Sequence, residues 1–336
     1  MAESDPSAAD RWAAFWRTGA LTSLPEAYQG NYAGAVGAFW AARFEALASG
    51  DAVLDIGTGN GAVALLAQQH VRDHGLQCEI HAVDHAPIDP VKHLAEPDAA
   101  VAREIHFHPG VDAARLPFPD ANFALVTGQY ALEYTRTEAV APELARVSRP
   151  GAELALLMHR SDARPVTGAA DTRDQVNVIV QQDFLGAARQ LAHIIAAAHT
   201  AGRPLSSLAR DAEAESARQV LNQAAGAVQA AAGKFRDPYL IRHSLQGVRQ
   251  AHALVSRGQA DTADEFLNRL EADLLAGRRR AEDLLSCQHA PEQRSSILRA
   301  LEASGFDLLE DAPLYEPVGS DHVLVAQALR LRRRRD

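Results

Sequence analysis

The chain has 336 residues, 47% of them hydrophobic and 23% charged, which is the ordinary composition of a globular protein. Its formal net charge of −10 argues against a broad nucleic-acid surface, which would be basic. Two cysteines are too few for a disulfide framework or a cysteine zinc site. The N-terminus lacks the apolar core of a signal peptide, and no run of 18 apolar residues predicts a transmembrane helix. We therefore expect a cytoplasmic protein without membrane association.

The N-terminal segment is rich in aromatic side chains, and residues 11–48 contain all three tryptophans. Phe39, Trp40 and Phe44 have the spacing of one helix face. Two roles stay open for these aromatic residues. They form a helical cap that packs on a sheet, or some of them lie over a ligand pocket, where their faces suit a cationic ligand. We assign residues 1–50 to an N-terminal helical cap.

Residues 53–61, VLDIGTGNG, are the motif around which the chain is organised, and they predict a strand, a tight turn and a helix start. Glycines allow positive φ and let backbone amides approach a ligand. The helix N-terminus that follows favours anionic or strongly polar groups. Two fingerprints fit the turn: the dinucleotide pattern G-x-G-x-x-G/A, which begins at Gly57, and D-x-G-x-G-x-G, which begins at Asp55. The turn alone does not decide between them.

Strands alternate with helices over residues 52–158. Apolar runs and helical patterns predict strands at 52–56, 78–84, 105–108, 123–127 and 152–158, and helices at 62–74, 90–102 and 138–148. This alternation implies right-handed βαβ units and a parallel sheet whose ligands bind outside the carboxyl ends of the strands. Acids follow three successive strands there, namely Asp55, Asp84 and Asp112.

Together these motifs resemble the class I S-adenosylmethionine-dependent methyltransferases. The motifs that carry the resemblance are residues 54–61 (the first motif), Asp84 (the ribose-binding acid), residues 112–118 (the D-A-x-x-L-P-F stretch beside the adenine), residues 122–126 (the fourth strand) and residues 143–151 (the helix before the fifth strand). The resemblance covers about residues 50–159. It is specific for the cofactor class and the fold, and it does not identify the methyl acceptor.

The resemblance implies that S-adenosyl-L-methionine is the cofactor. Asp84 takes the ribose hydroxyls, Asp112 accepts from the adenine amino group, the amide of Ala113 points to a ring nitrogen, and Gln129 lies at the methionine end. His85 stacks on the adenine, where an apolar residue is more usual. The predicted cofactor-binding residues are Asp55, Gly57, Thr58, Gly59, Gly61, Asp84, His85, Asp112, Ala113 and Gln129. The histidines and acids lack the spacing of metal ligands, so no metal site is predicted.

Methyl transfer from a sulfonium is an in-line displacement, so alignment and exclusion of water do most of the work. A base is needed only when the acceptor must lose a proton, and the candidates near the strand ends are His159, Tyr134 and Tyr32. The nucleic-acid methylase motif and the pyrimidine-attacking cysteine are absent after the fourth strand, so we expect a small-molecule acceptor, with a protein side chain as the alternative. Two alternatives stay open: a non-catalytic S-adenosylmethionine-binding assembly protein and an NAD-dependent oxidoreductase. The latter leaves residues 112–118 unexplained.

The C-terminal residues 291–336 predict a helix and two strands, at 306–310 and 323–331, with Pro313, Pro317 and Gly319 in a loop between the strands. Sheets of this family usually end in an antiparallel pair, with the seventh strand inserted between the fifth and sixth. The predicted fold is therefore α/β, with a doubly wound, mostly parallel seven-stranded sheet. Together with residues 51–159, residues 291–336 form the predicted cofactor-binding domain.

A large α-helical insertion before the last helix is where the chain departs from the family. Residues 160–290 contain apolar stripes that predict four helices, one of which runs from Val176 through Val180 and Phe184 to Ala198. We expect this insertion to act as a lid, as a homodimer interface, or as both.

Overall fold

The computed structural model describes residues 8–24, 28, 30–287 and 291–335. The chain divides into two compact units, the first formed by Met1–Thr167 with Leu285–Asp336 and the second by Gly168–Leu284. Outside the described residues lie 1–7, 25–27 and 29 of the predicted cap, 288–290 of the predicted insertion, and 336 at the end of the predicted cofactor-binding domain.

A seven-stranded sheet forms the centre of the first unit, in the order β3-β2-β1-β4-β5-β7-β6. The strands are β1 (Ala52–Ile56), β2 (Glu79–Asp84), β3 (His106–Pro109), β4 (Phe123–Gln129), β5 (Ser148–Met158), β6 (Phe306–Val318) and β7 (Asp321–Arg333). Strands β1 to β5 pair in parallel, whereas β7 is antiparallel to both β5 and β6. The predicted doubly wound α/β sheet, with its seventh strand between the fifth and sixth, is confirmed.

The described helices are α1 (Ala8–Trp16), α2 (Gly34–Phe44), α3 (Ala62–Asp73), α4 (Pro90–His93), α5 (Asp98–Ala102), α6 (Thr137–Val147), α7 (Arg164–Gln181), α8 (Phe184–Thr200), α9 (Ala212–Ala231), α10 (Tyr239–Ser256), α11 (Ala260–Ser286) and α12 (Pro291–Ala303). The single helix predicted over 90–102 was wrong, since α4 and α5 are separate there. Pro97 lies between them, and proline both lacks the amide donor and disfavours helical backbone in the residue before it. None of the described helices is long and apolar enough to cross a membrane.

Helices cover both faces of the sheet, as a parallel sheet requires. On one face Trp40 of α2 packs in a cluster with Val53 of β1. On the other face Leu144 of α6 and Leu301 of α12 pack in a cluster with Leu54 of β1. Neighbouring residues of β1 thus face opposite clusters, because side chains alternate along a strand.

The second unit is helical, and the prediction of four helices for the insertion was wrong. The continuous helix predicted from Val176 to Ala198 breaks at Asp183, whose φ of 44° is left-handed. Val180 near the end of α7 is exposed over 46% of its surface, whereas Phe184 at the start of α8 is buried. Phe184 packs in a cluster of this unit with Leu267 of α11, so the apolar stripes are core residues of the unit.

Candidate functional site

The turn between β1 and α3 requires glycine at three positions. Gly57, Gly59 and Gly61 have φ of 60°, 55° and 86°, a region that other residues rarely adopt. A Cβ atom on Gly57 would overlap the side chain of Ala131, and one on Gly59 would overlap the indole of Trp16. The turn is therefore held both by its own backbone and by close neighbours.

Asp55 is the buried acid beneath the turn, with 2% of its surface exposed. Its Oδ2 accepts a hydrogen bond from Thr58 Oγ1 at 2.6 Å, and its Oδ1 accepts one from Thr127 Oγ1 at 2.8 Å. Burial raises the pKa of Asp55 to about 7, although the two hydroxyls oppose the shift. The charge of this carboxyl group therefore changes close to neutral pH.

Asp84 at the end of β2 holds the turn from the other side. Its Oδ2 accepts from the amide of Gly59 at 2.7 Å, and its Oδ1 accepts from the amide of Ala86 at 2.8 Å. Burial raises the pKa of Asp84, while these two backbone bonds oppose the shift. A carboxylate accepts about four hydrogen bonds, so both oxygens keep capacity for a ligand.

A cavity of about 400 Å³ lies at the carboxyl ends of the strands. Eight of the ten predicted cofactor-binding residues line it: Asp55, Gly57, Thr58, Asp84, His85, Asp112, Ala113 and Gln129. The other two, Gly59 and Gly61, belong to the same turn but are not among the lining residues. Trp16 covers Gly59, and the position of a Cβ on Gly61 lies 2.8 Å from the ring of Phe107.

The polar lining residues follow the order of the strands across the sheet. Asp112 follows β3, Asp84 ends β2, Asp55 lies in β1, and Gln129 ends β4. Asp112 is exposed, and its Oδ1 accepts from the amide of Ala114 at 2.9 Å, which shapes its loop. The cavity therefore has acceptor groups spread across three neighbouring strand ends and an amide at the fourth.

The aromatic residues of the N-terminal segment divide between the two roles that the sequence left open. Trp12, Trp16 and Tyr32 line the cavity, as does Tyr134. Trp12 stacks on Trp16 with ring centroids 5.8 Å apart and meets Tyr134 edge-on at 6.2 Å. Trp40, in contrast, is fully buried in the core on the α2 side of the sheet.

Asn60 joins the glycine turn to the N-terminal segment, and the sequence did not predict this. Its Nδ2 donates to the carbonyl oxygens of Trp16 and Ala20, both at 2.8 Å, and the side chain is fully buried. The carbonyl of Trp16, the last residue of α1, also accepts from the amide of Gly19 at 3.1 Å, so Asn60 adds a second hydrogen bond there. The only local signal was an asparagine between two glycines, which does not indicate a partner about 40 residues away.

The three candidate bases occupy different places. Tyr32 and Tyr134 line the cavity, whereas His159 is buried and is not among the described lining residues. The imidazole of His159 stacks on the ring of Tyr130 at 4.0 Å, and its backbone amide donates to Glu133 Oε1 at 2.7 Å. Burial raises the pKa of Tyr32 to about 12, so its phenolate does not form near neutral pH.

Glu133 is a buried titratable residue that the sequence analysis missed. Only 5% of its surface is exposed, and its Oε2 has no hydrogen-bond partner among the described residues. Burial raises the pKa of Glu133 to about 7. Within the described part of the chain, no group of three or more histidine, cysteine or acidic side chains is arranged to hold a metal ion.

Gln129 makes one strong contact and leaves one group unmatched. Its Oε1 accepts from the indole Nε1 of Trp40 at 2.6 Å. Its Nε2 is buried and has no hydrogen-bond partner among the residues that the structure describes.

Comparison with known proteins gives a family for part of the chain. Residues 53–151 match a family model described as a methyltransferase domain. The chain is 37% identical over 135 residues to a demethylmenaquinone methyltransferase of Deinococcus radiodurans. The aligned region covers 38% of this chain and 52% of that protein. It is 35% identical over 113 residues to a 27-O-demethylrifamycin SV methyltransferase of Amycolatopsis mediterranei, covering 33% of this chain and 39% of that protein.

The chain thus spans about half the length, or less, of these curated relatives. Among solved structures, a SAM dependent methyltransferase from Aquifex aeolicus is similar with a TM-score of 0.35 and 19% identity. That similarity covers 45% of this chain and 75% of the other.

Proposed function

Because residues 53–151 are a methyltransferase domain of the class I family, we propose that the chain transfers a methyl group from S-adenosyl-L-methionine to a small-molecule acceptor. The observation that carries the proposal is the convergence of three acids from successive strand ends, with the glycine turn, on one cavity. The two curated relatives, named after demethylmenaquinone and 27-O-demethylrifamycin SV, support a small acceptor. A cytoplasmic location is likewise part of the proposal.

The cavity residues fit the cofactor part by part. We assign Asp112 and His85, near the ends of β3 and β2, to the adenine. Asp84 is assigned to the ribose hydroxyls, and Gly57 and Gln129 are assigned to the methionine part. The sheet order β3-β2-β1-β4 matches the linear order of adenine, ribose and methionine. When bound, the cofactor supplies a methyl group already activated by its sulfonium.

The residues of the chain would then bind and orient the cofactor and exclude water from the cavity. Trp12 and Trp16 offer aromatic faces to a cation and close the cavity on the N-terminal side. Of the three candidate bases, Tyr32 and Tyr134 line the cavity, and we assign contact with an acceptor to Tyr134, because burial raises the pKa of Tyr32 to about 12. Tyr32 serves as a hydrogen-bond donor at neutral pH, and His159 acts on the cavity through Tyr130, on which it stacks.

The roles of the three parts of the chain are also part of the proposal. Residues 1–50 form the cap, residues 51–159 with 291–336 bind the cofactor, and residues 160–290 help to build the acceptor pocket. The insertion leaves the sheet just after β5, at the edge where the acids lie, which supports this role. A homodimer interface is the competing role for the insertion.

Calorimetric titration with S-adenosylhomocysteine and with NAD tests the cofactor assignment. We expect S-adenosylhomocysteine to bind and NAD not to bind, and the reverse result would favour an oxidoreductase. Transfer of a labelled methyl group to a panel of small acceptors then tests the reaction. Cofactor binding without transfer to any acceptor, together with cofactor-dependent assembly with other proteins, would favour the non-catalytic alternative.

A further inference from the structure

The side-chain amide of Gln129 has an orientation that the chemistry of its neighbour dictates. An indole N–H donates hydrogen bonds and never accepts them. The oxygen of the Gln129 amide must therefore face Trp40, as it does at 2.6 Å, and the NH2 group must face away from it. The two amide ends, which are often ambiguous, are thus distinguished by the bonding partner.

The NH2 group that faces away lacks a hydrogen-bond partner among the residues that the structure describes. Gln129 Nε2 is buried, and Gln129 is one of the residues that line the cavity. Buried polar groups in folded proteins are nearly always paired, and one that is not calls for an explanation. A ligand atom that accepts a hydrogen bond would complete the pairing.

The position of Gln129 in the sheet selects the part of the cofactor that it meets. Strand β4 pairs with β1, and Gly128 lies opposite Ile56, so Gln129 is next to the glycine turn. The acids proposed for ribose and adenine lie on the far side of β1, after β2 and β3. The methionine part therefore lies at Gln129. Of its two polar groups, the ammonium only donates and the carboxylate only accepts.

We propose that Trp40 is a positioning residue that holds Gln129 as a hydrogen-bond donor to the methionine carboxylate of S-adenosylmethionine. The proposal rests on the proposed function, because it assumes that this cofactor fills the cavity. Trp40 is fully buried in α2, packed edge-on against Phe39 at 4.9 Å, so its indole has little freedom to release the amide. The N-terminal cap would thereby influence cofactor affinity from outside the cavity.

Two cofactor fragments separate this role from a merely structural one. S-adenosylhomocysteine carries the methionine carboxylate, whereas 5′-methylthioadenosine lacks the amino-acid part. Trp40→Phe keeps an aromatic ring and removes the N–H. We expect it to weaken binding of S-adenosylhomocysteine about fivefold or more in calorimetry and to leave binding of 5′-methylthioadenosine unchanged. Phe44→Leu is the matched control in the same helix, since it alters packing without touching a hydrogen bond, and it should not separate the two ligands.

Gln129→Glu tests the donor itself without disturbing Trp40. The glutamate keeps an oxygen for the indole but presents a second acceptor to the carboxylate, so S-adenosylhomocysteine should bind at least tenfold more weakly while 5′-methylthioadenosine binds as before. The double variant Trp40→Phe with Gln129→Leu should lose no more affinity than Gln129→Leu alone, because Trp40 acts through Gln129.

Equal losses for both ligands in Trp40→Phe and in Gln129→Glu would overturn the proposal, as would unchanged binding of S-adenosylhomocysteine. Absence of S-adenosylhomocysteine binding by the unaltered chain is a different result, which contradicts the proposed function instead.

Discussion

Replacing Asp84 with alanine perturbs a residue of the candidate site that has two backbone hydrogen bonds and a proposed role in cofactor binding. Its carboxylate holds the amides of Gly59 and Ala86, and we propose that it also accepts both ribose hydroxyls. The substitution therefore removes two kinds of interaction, one present in the unliganded chain and one made only with cofactor. The two losses appear in different measurements, which makes the variant informative.

The expected magnitudes follow from the bonds involved. Loss of charge-assisted bonds to the ribose costs about 1.5–3 kcal/mol, roughly a ten- to hundredfold rise in the Kd for S-adenosylhomocysteine. Loss of the two amide partners costs about 0.5–1.5 kcal/mol each in the free energy of unfolding. Because burial raises the pKa of Asp84 and so penalises its charged form, we expect the stability loss at the low end of that range.

The assay is calorimetric titration with S-adenosylhomocysteine beside a thermal melt of the unliganded chain. Asp84→Asn keeps one acceptor oxygen and should fall between wild type and Asp84→Ala in affinity. Asp89→Ala is the matched control, since Asp89 is exposed, caps α4 through the amide of Lys92 at 3.3 Å, and is not a lining residue. A lower melting temperature with an unchanged Kd would refute the ribose assignment and leave Asp84 a turn residue only.

Three further predictions address the turn, a buried acid and the insertion. Gly59→Val should abolish S-adenosylhomocysteine binding in calorimetry, because the valine side chain would displace Trp16. The control is Gly75→Ala, which should bind normally, since Gly75 also has a positive φ but has open space around it. Glu133 has a folded-state pKa of about 7, above its unfolded value, so the folded state binds more protons and stability falls as pH rises from about 4.5 to 7. Glu133→Gln should therefore gain up to about 3 kcal/mol over wild type in urea unfolding at pH 8 and little at pH 4.5, and equal differences at both pH values would contradict this. Replacing residues 160–290 with a Gly/Ser linker should preserve S-adenosylhomocysteine binding and abolish acceptor turnover; retained turnover with loss of a dimer in light scattering would favour the interface role.

The sheet was predictable because its signals are local. Strand β1 was predicted over the same residues that the structure shows, since a fully buried apolar run is bounded by a glycine turn. Strand β6 was predicted too short because Pro313 and Pro317 indicated a loop. Both prolines lie within β6, which is the edge strand of the sheet, and an edge strand tolerates residues that cannot donate on its open side.

The break in the insertion was not predictable from the apolar pattern. The spacing of three and four residues continues from α7 into α8, so the periodicity alone favours one helix. The interruption depends on Asp183 in the left-handed region, which aspartate tolerates better than most residues but does not require. The apolar pattern therefore describes which side chains are buried better than it describes where a helix ends.

The candidate site also contains contacts that local sequence patterns do not predict, and these contacts bear on its function. Its acids were predictable because each lies near the carboxyl end of its own strand or just after it, and the parallel topology then brings strand ends together. The contacts that support them join distant parts of the chain: Asn60 to Trp16, and Trp40 to Gln129. Local spacing carries no information about such pairs, since an asparagine or a tryptophan has the same appearance in the sequence whether its partner is water or a residue 89 positions away. Both pairs connect the N-terminal segment to a strand end that lines or supports the cavity. The aromatic segment is therefore part of the candidate site through its hydrogen bonds as well as through its rings, and its contacts hold the glycine turn and the Gln129 amide beside the cavity.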